Sequence, residues 1–310
     1  MFSIIFPPSV VRLITSLSLL ATTLAAAVFL LPGIVLKLVP HYPLQRACSR
    51  YCVWVAINWV SANKLVFRLL HAVQWQIDIR TPLDPTRNYL LISNHQSWAD
   101  ILLLFDILHG RVPFPRFFLK HQLLYVPVIG MACWAMDFPF MRRYTKAQLE
   151  ARPELKGQDV EATRRACEVY KHEPVTVINF LEGTRFSEAK RITNKSPYRR
   201  LLRPKAGGMS FTLNAMGEQF AGVIDVTIAY RQTKKSLLGS FTSGEQDQLS
   251  VHMDVLPIPP ELMHGDYEHD AEFRARFQAW INTLWARKDE RLERQTNARP
   301  AMQAPRPAHG

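Results

Sequence analysis

The 310-residue sequence holds only four cysteines, Cys48, Cys52, Cys133 and Cys167, and no acidic side chain within its first 70 residues. So few scattered thiols exclude a disulfide-stapled scaffold. Cys48 and Cys52 are four apart, but no His or Cys lies at ligand spacing beside them, so they read as packing residues. No Gly-x-Ser-x-Gly elbow occurs, which counts against serine-hydrolase chemistry. Internal repeats are absent. Long apolar runs are also scarce, and a mean hydropathy of −0.07 excludes a transporter made mostly of membrane spans. What is present, 48% hydrophobic and 21% charged residues, excludes global disorder and suffices for one large domain or two modest ones.

The net charge of +12 is confined to two patches. Residues 1–70 carry Arg12, Lys37, Arg46, Arg50, Lys64 and Arg68 with no acid. Residues 185–205 carry Arg185, Lys190, Arg191, Lys195, Arg199, Arg200, Arg203 and Lys205 against Glu188 alone. A basic, non-catalytic protein binding anionic lipid or nucleic acid is one reading of such patches. Tyr198 is the second patch's only tyrosine or tryptophan, which is thin for base stacking, so no nucleic-acid partner is expected.

Between Arg12 and Lys37 lie 24 residues without a formal charge, enough helix to cross a hydrocarbon core of about 30 Å. The run continues past Ala25, Ala26 and Ala27, further than a signal-peptide core extends. The apolar stretch 51–63 is too short to span and predicts an interfacial or re-entrant helix. Residues 1–72 are therefore expected to form a membrane anchor, with one span over about 13–36 or a hairpin that dips in without crossing. By the positive charges that follow the first run, the remaining chain is expected on the cytoplasmic side of the membrane, beside an anionic leaflet. The run 122–136, interrupted by Pro127 and Gly130, predicts a buried or membrane-skimming helix.

From residue 73 to 297 short apolar runs alternate with helical patterns. Strands are expected at 74–80, 89–93, 117–120, 138–141, 175–181, 221–230 and 249–256, and helices near 98–109, 121–135, 158–172 and 207–217. This alternation predicts an α/β domain with one mixed sheet flanked by helices. Phe273, Phe277, Trp280, Ile281 and Leu284 predict a one-sided helix over 267–295. The Pro-, Ala- and Arg-rich tail 298–310 is expected to be disordered.

Two segments carry candidate chemistry, each after an apolar strand. In Asn94-His95-Gln96-Ser97-Trp98-Ala99-Asp100, a histidine in a strand-to-helix turn can meet a carboxylate in the first helical turn. Such a pair suits general-base catalysis on a hydroxyl. Ser97 and Asp100 also satisfy a capping box, so the same residues fit a purely structural helix start. In Phe180-Leu181-Glu182-Gly183-Thr184-Arg185, a glycine turn with a hydroxyl and a guanidinium suits an oxyanion. A Glu–Arg ion pair around a tight turn is the plain alternative.

In order, these blocks resemble the glycerophospholipid acyltransferases related to 1-acylglycerol-3-phosphate acyltransferase, with their His-x4-Asp, Phe-Ile-x-Arg and Phe-Pro-Glu-Gly-Thr-Arg blocks. Phe140-Met141-Arg142-Arg143 stands between the two segments, Lys120 to Gly130 resembles the family's Lys-x2-Leu-x3-Pro-x2-Gly stretch, and Leu202 to Gly207 resembles a later Lys/Gly block. The likeness covers roughly residues 85–260, so 73–297 is expected to be the acyltransferase domain. It departs at Leu181, where proline is usual, and at Val223-Ile224-Asp225-Val226-Thr227-Ile228, which also lacks its proline. The Asp-Val-Thr form and Val251-His252-Met253-Asp254-Val255 resemble the lysocardiolipin-type branch. As a whole the chain is similar to an accessory acyltransferase of enterobacterial inner membranes.

The resemblance implies acyl transfer from acyl-CoA or acyl carrier protein to the sn-2 hydroxyl of a lysophospholipid. It implies His95 as base and Asp100 as its orienter. Arg143 and Arg185 clamp the acceptor phosphate, Lys205 and Lys120 add charge, and Glu182 contacts the glycerol or orients Arg185. Gly183 and Thr184 shape the turn and offer donors. No metal or cofactor is expected.

Overall fold

The computed structural model describes residues 5–71, 73–141, 170, 173–230, 237–245 and 248–297. Arg143, Cys167, the tail 298–310 and all of the expected helix 158–172 except Tyr170 lie outside the described residues.

Two helices of 29 residues open the chain, α1 (Pro8–Leu36) and α2 (Tyr42–Leu70). Each is about 43 Å long at 1.5 Å per residue. They pack as an antiparallel pair: Thr15 bonds His71 at the open end, and Thr22 donates to Asn63. Gly33 permits the close approach near the turn, since a Cβ there would lie 2.6 Å from Cys52 Sγ. Cys48 and Cys52 are buried in this contact, as packing residues should be. The stretch 51–63 is the middle of α2 rather than a separate short helix.

The sheet has six strands in the order β1 (Gln74–Ile79), β8 (Gln248–Leu256), β7 (Phe220–Tyr230), β2 (Asn88–Ser93), β6 (Thr176–Asn179) and β3 (Pro115–Phe117). Only the β7–β8 pair is antiparallel, so the expected mixed sheet is present. The apolar run 117–120 divides between two sheets: Phe117 ends β3, while β4 (Leu119–Lys120) pairs with β5 (Phe140–Met141). The helix anticipated over 121–135 is broken. A 3-10 turn covers His121–Tyr125, and α4 (Ile129–Ala135) begins only after Pro127 and Val128. Val128 has φ +65°, a left-handed value that a β-branched residue adopts at a steric cost.

Both faces of β2 are covered, as a central parallel strand requires. Leu90 and Ile92 point to α6 (Gly207–Met216) and α8 (Ala271–Asn297), which contribute Met209, Leu213, Phe277, Ile281 and Trp285. Leu91 points to α3 (Ala99–Leu108), with Leu103, Leu104 and Leu108. The apolar face read at Phe273, Phe277, Ile281 and Leu284 is buried. Two short helices, α5 (Glu188–Thr193) and α7 (Leu237–Thr242), have no counterpart in the sequence reading.

The N-terminal charges do something other than the sequence implied. Lys37 is buried and donates to Ser49 Oγ, to the Trp134 and Ala135 carbonyls, and to Asp137 at 2.5 Å. Arg46 and Arg50 share Glu173, and Lys64 pairs with Asp106. Four of the six basic side chains assigned to an anionic leaflet are therefore satisfied by acids of the sheet domain. Among the described residues, Arg12 and Arg68, at the open end, have no such pair and are exposed. The apolar side of α2 (Cys52, Val55, Val60) packs with Leu30 against Phe105, Leu119, Ala135 and Phe138. The outward side of α1 keeps Leu13, Leu17, Leu20, Leu24 and Val28 exposed. Pro8–Leu36 is long and apolar enough to cross a membrane.

Truncating Lys37 would strand Asp137 and two buried carbonyls. We expect Lys37→Ala to destabilise the protein by about 3–5 kcal/mol, the range for breaking one side of a buried pair. Thermal unfolding in detergent measures this. Combining it with Asp137→Ala should cost less than the two single losses together; full additivity would show that the pair does not couple.

Candidate active site

The parallel pairing of β2 with β6 decides where the chemistry can sit. Leu91 lies beside Ile178 and Ile92 beside Asn179, so the chains leave these strands side by side at one edge of the sheet. The first delivers Asn94 to Asp100 and the second Phe180 to Arg185. Segments 87 residues apart thereby meet: His95 N–H donates to Glu182 Oε1, and Phe186 N–H donates to the His95 carbonyl. Crevices beyond the carboxyl ends of parallel strands are where α/β sheets bind ligands.

Asn94 is completely buried and extends the ladder with its side chain. Its amide donates to the Ile228 carbonyl and accepts from the Ile228 N–H. This fixes the turn that presents His95. His95 Nδ1 then lies 2.8 Å from Asp100 Oδ2. A carboxylate only accepts, so Nδ1 carries the hydrogen, and in the neutral imidazole Nε2 keeps its lone pair. Among the described residues none bonds Nε2, and His95 lines the cleft. Phe180 stacks on the imidazole with centroids 4.2 Å apart.

The His95–Asp100 contact and the bonds of a helix start occur together in this segment, although the N-cap position itself falls on Trp98 rather than Ser97. Asp100 Oδ2 also accepts from the Gln96 and Ser97 N–H groups, at 2.6 and 2.9 Å, while Ser97 Oγ accepts from Ala99 N–H. The helix-start bonds hold the carboxylate where the imidazole needs it. Tyr230, which the sequence reading did not single out, donates to Asp100 Oδ1 at 2.5 Å. Its place at the end of a buried strand beside the Asn94 clasp was the only available sign.

Across the cleft, Gly183 takes φ +67°, the left-handed conformation that the turn requires and glycine allows. The Lys205 side chain lies against it: a Cβ on Gly183 would sit 3.5 Å from Lys205 Nζ. Arg185 is exposed, its guanidinium 5.1 Å over the Trp98 ring. Thr184 Oγ1 accepts from Lys190 Nζ, a lysine absent from the predicted set, and keeps its own O–H to donate. The Gly183 N–H is spent on the Phe180 carbonyl, so it is no oxyanion donor in this structure. Lys120 lies in β4, next to the cleft residue Leu119.

Glu182 requires a larger correction. It neither faces the cleft nor touches Arg185; it is 1% exposed, and its two oxygens accept from His95 N–H and Leu202 N–H. Its carboxylate ties together the His95 turn, its own turn and the basic loop. Burial pushes its pKa up to about 7, against the lowering effect of those two N–H donors.

The cleft bounded by these groups encloses about 330 Å³. Its apolar wall is Phe117, Phe118, Leu119 and Ile178, and its polar end is His95, Gly183, Thr184 and Arg185. A chain-bearing anionic molecule fits such a division. Thr184 is the only hydroxyl-bearing residue among those lining it.

Glu182 titrates above its ordinary value in the folded state, so its contribution to stability is complete below about 4.5 and fades as pH rises through about 7. Glu182→Gln cannot titrate. The stability of the native protein relative to this variant should fall between pH 4.5 and 7, by on the order of 2–3 kcal/mol. Parallel melting curves across that range test it; a constant difference contradicts a buried, late-titrating carboxyl.

A family model described as Acyltransferase matches residues 74–231, which hold both motif turns and the strands that deliver them. The chain is 23% identical over 250 residues to a 2-acyl-1-lysophosphatidylinositol acyltransferase of Saccharomyces cerevisiae, covering 67% of this chain and 61% of that protein. It is 24% identical over 282 residues to lysocardiolipin acyltransferase 1 of Danio rerio, covering 84% of this chain and 67% of the relative. Human 1-acyl-sn-glycerol-3-phosphate acyltransferase alpha is 27% identical over 122 residues, covering 39% of this chain and 38% of the relative. The chain thus spans between about two fifths and two thirds of these relatives. In fold it is similar to the 1-acyl-sn-glycerophosphate acyltransferase PlsC from Thermotoga maritima, with a TM-score of 0.53 and 17% identity, over 95% of this chain and 99% of that one. Since the family model takes in about half of its residues and both motif turns, this chain belongs to the glycerophospholipid acyltransferase family.

Proposed function

We propose that the protein transfers a fatty acyl group from a thioester, acyl-CoA or acyl carrier protein, to the sn-2 hydroxyl of 1-acyl-sn-glycerol 3-phosphate, giving phosphatidic acid. The observation that carries this reading is the His95–Asp100 pair with Nε2 open to a cleft that is apolar on one side and cationic at its end.

In this mechanism the acceptor hydroxyl hydrogen-bonds His95 Nε2. As its oxygen attacks the thioester carbonyl, the proton passes to Nε2, and Asp100 stabilises the imidazolium through Nδ1–H. Collapse of the tetrahedral intermediate breaks the C–S bond. The imidazolium returns the proton to the leaving thiolate, so the products are an ester and a free thiol. No covalent acyl-enzyme forms; the one hydroxyl in the cleft wall, on Thr184, is held by Lys190 and has no base beside it among its bonds. Arg185 and Lys205 bind the acceptor phosphate, joined by Arg143 and Lys120, and Phe117, Phe118 and Ile178 take the acyl chain.

The hairpin serves as the membrane seat. Arg46 and Lys64 fasten α2 to the domain eighteen residues apart, about 27 Å along the helix. A helix fastened over that length lies along the domain, which favours the dipping hairpin over a single span. The free face of α1 enters the cytoplasmic leaflet of the inner membrane, with the sheet domain in the cytoplasm.

A second reading keeps the reaction and changes the acceptor to lysocardiolipin or lysophosphatidylglycerol. It is favoured by the alignment with the zebrafish lysocardiolipin acyltransferase, which covers 84% of this chain. A panel of lyso-acceptors presented to membranes containing the protein decides between the two.

His95→Ala is expected to lower turnover by about 10²–10⁴-fold while the protein stays folded. Near-native transfer by that variant sinks the base assignment. Arg185→Ala should raise KM for a phosphate-bearing acceptor by roughly tenfold or more while leaving KM for the donor nearly unchanged. Equal effects on both substrates would argue against a phosphate clamp.

A further inference from the structure

Asp100 is wholly buried, and three of its four donors converge on one oxygen: His95 Nδ1, Gln96 N and Ser97 N all reach Oδ2. Among the described residues Oδ1 has a single partner, the Tyr230 hydroxyl. We infer that Tyr230 is a positioning residue for the reaction, its O–H holding Oδ1 so that Oδ2 stays aimed at His95. This rests on the reading of His95 as the base and extends it to the strand on the far side of the turn.

Three features support the assignment. β7 runs parallel to β2 in a register that pairs Ile92 with Asp225 and Ser93 with Val226. Its last residues therefore lie beside the chain that continues from β2, where Ile228 holds Asn94 and Tyr230 holds Asp100. The strand thus grips the histidine turn on both sides of His95. Tyr230 is buried and does not line the cleft, so substrate is not its partner. Its burial, followed by the charge of Asp100 and the bond itself, keeps the phenol protonated far above neutral pH, so it remains a donor whenever Asp100 is ionised. Rotation about the Cβ–Cγ bond displaces both oxygens, so the tyrosine bond on Oδ1 adds to the three on Oδ2 in resisting it.

Tyr230→Phe removes the O–H and fills the same space. The ionisable groups facing Asp100 are His95, Tyr230 and Glu182. Without the tyrosine the Asp100 carboxylate is a better proton acceptor. Activity should then demand a higher pH, because a protonated Asp100 no longer orients the imidazole and a more strongly held imidazolium releases its proton later. We expect kcat to fall roughly tenfold, KM for acceptor and donor to stay within about twofold, and the acid limb of kcat/KM to move up by about half a unit or more. The shift should persist in the Glu182→Gln background, which removes the neighbouring carboxyl that burial raises to about 7.

A cycle with Asp100→Asn completes the test. If Tyr230 acts through Asp100, its removal from the Asp100→Asn protein costs little further activity and little further loss of melting temperature. Additive losses, or a raised KM with an unmoved acid limb, overturn the inference in favour of a packing role. His95→Ala, assayed in parallel, separates the two levels. Full activity of that variant removes the base reading itself; an inactive His95→Ala beside a native-like Tyr230→Phe removes only the inference about Tyr230.

Discussion

A carboxylate buried as completely as Asp100 costs several kcal/mol unless its lone pairs are met. Here four donors meet them: one imidazole, two backbone amides and one phenol. The amides come from the turn before α3, the phenol from β7 and the imidazole from the residue after Asn94. Satisfying this one charge therefore requires the β2–α3 turn, the β2–β7 register and the start of α3 all at once. Few alternative arrangements of the same chain could achieve it, and that makes the site rigid before any substrate arrives.

Glu182 plays the complementary part on the other strand. It sits in a motif whose neighbours, Gly183, Thr184 and Arg185, face the cleft, yet it points inward to two backbone N–H groups. Leu202, which supplies one of them, is held in turn by α8. Trp285 Nε1 donates to its carbonyl, and Asp289 accepts from the Arg199 and Arg200 N–H groups. The basic loop beside the cleft is thereby fastened to a helix that lies beyond the matched family region. Without such fastening, like charges on Arg199, Arg200 and Arg203 would push the loop away from the turn that carries Arg185.

The fold class and the central strands were legible because strands buried on both faces leave short apolar runs such as 89–93 and 221–230, alternating with helical patterns. The pairing of His95 with Asp100 was legible as one of two readings, and the structure holds that contact beside the bonds of a helix start. Less legible was anything that depended on which side chain meets which across the sheet. Glu182 looked like a cleft residue because its sequence neighbours are; a turn with φ +67° at Gly183 reverses that expectation by sending adjacent side chains to opposite sides. Tyr230 was hidden for the same reason, since its partner is 130 positions away. The helix expected at 121–135 failed at Pro127 and Val128, where the chain must turn outward before α4 can pack on the hairpin.

Charge in the first 70 residues shows how sequence distance misleads. An acid-free, basic, partly apolar segment has the composition of a membrane-surface element, and α1 does keep an exposed apolar face. Yet a lysine or arginine beside a bilayer and one bonded to an acid of the next layer look identical in composition. The acids that answer Lys37, Arg46 and Lys64 are Asp137, Glu173 and Asp106, between 42 and 127 residues downstream. Because these pairs fix α2 to the sheet domain, they also fix the position of the exposed apolar face of α1 relative to the cleft. Leu119 belongs both to the cluster that packs on the hairpin and to the wall of the cleft. The apolar wall of the cleft thus meets, at this residue, the core that fastens the hairpin to the sheet domain.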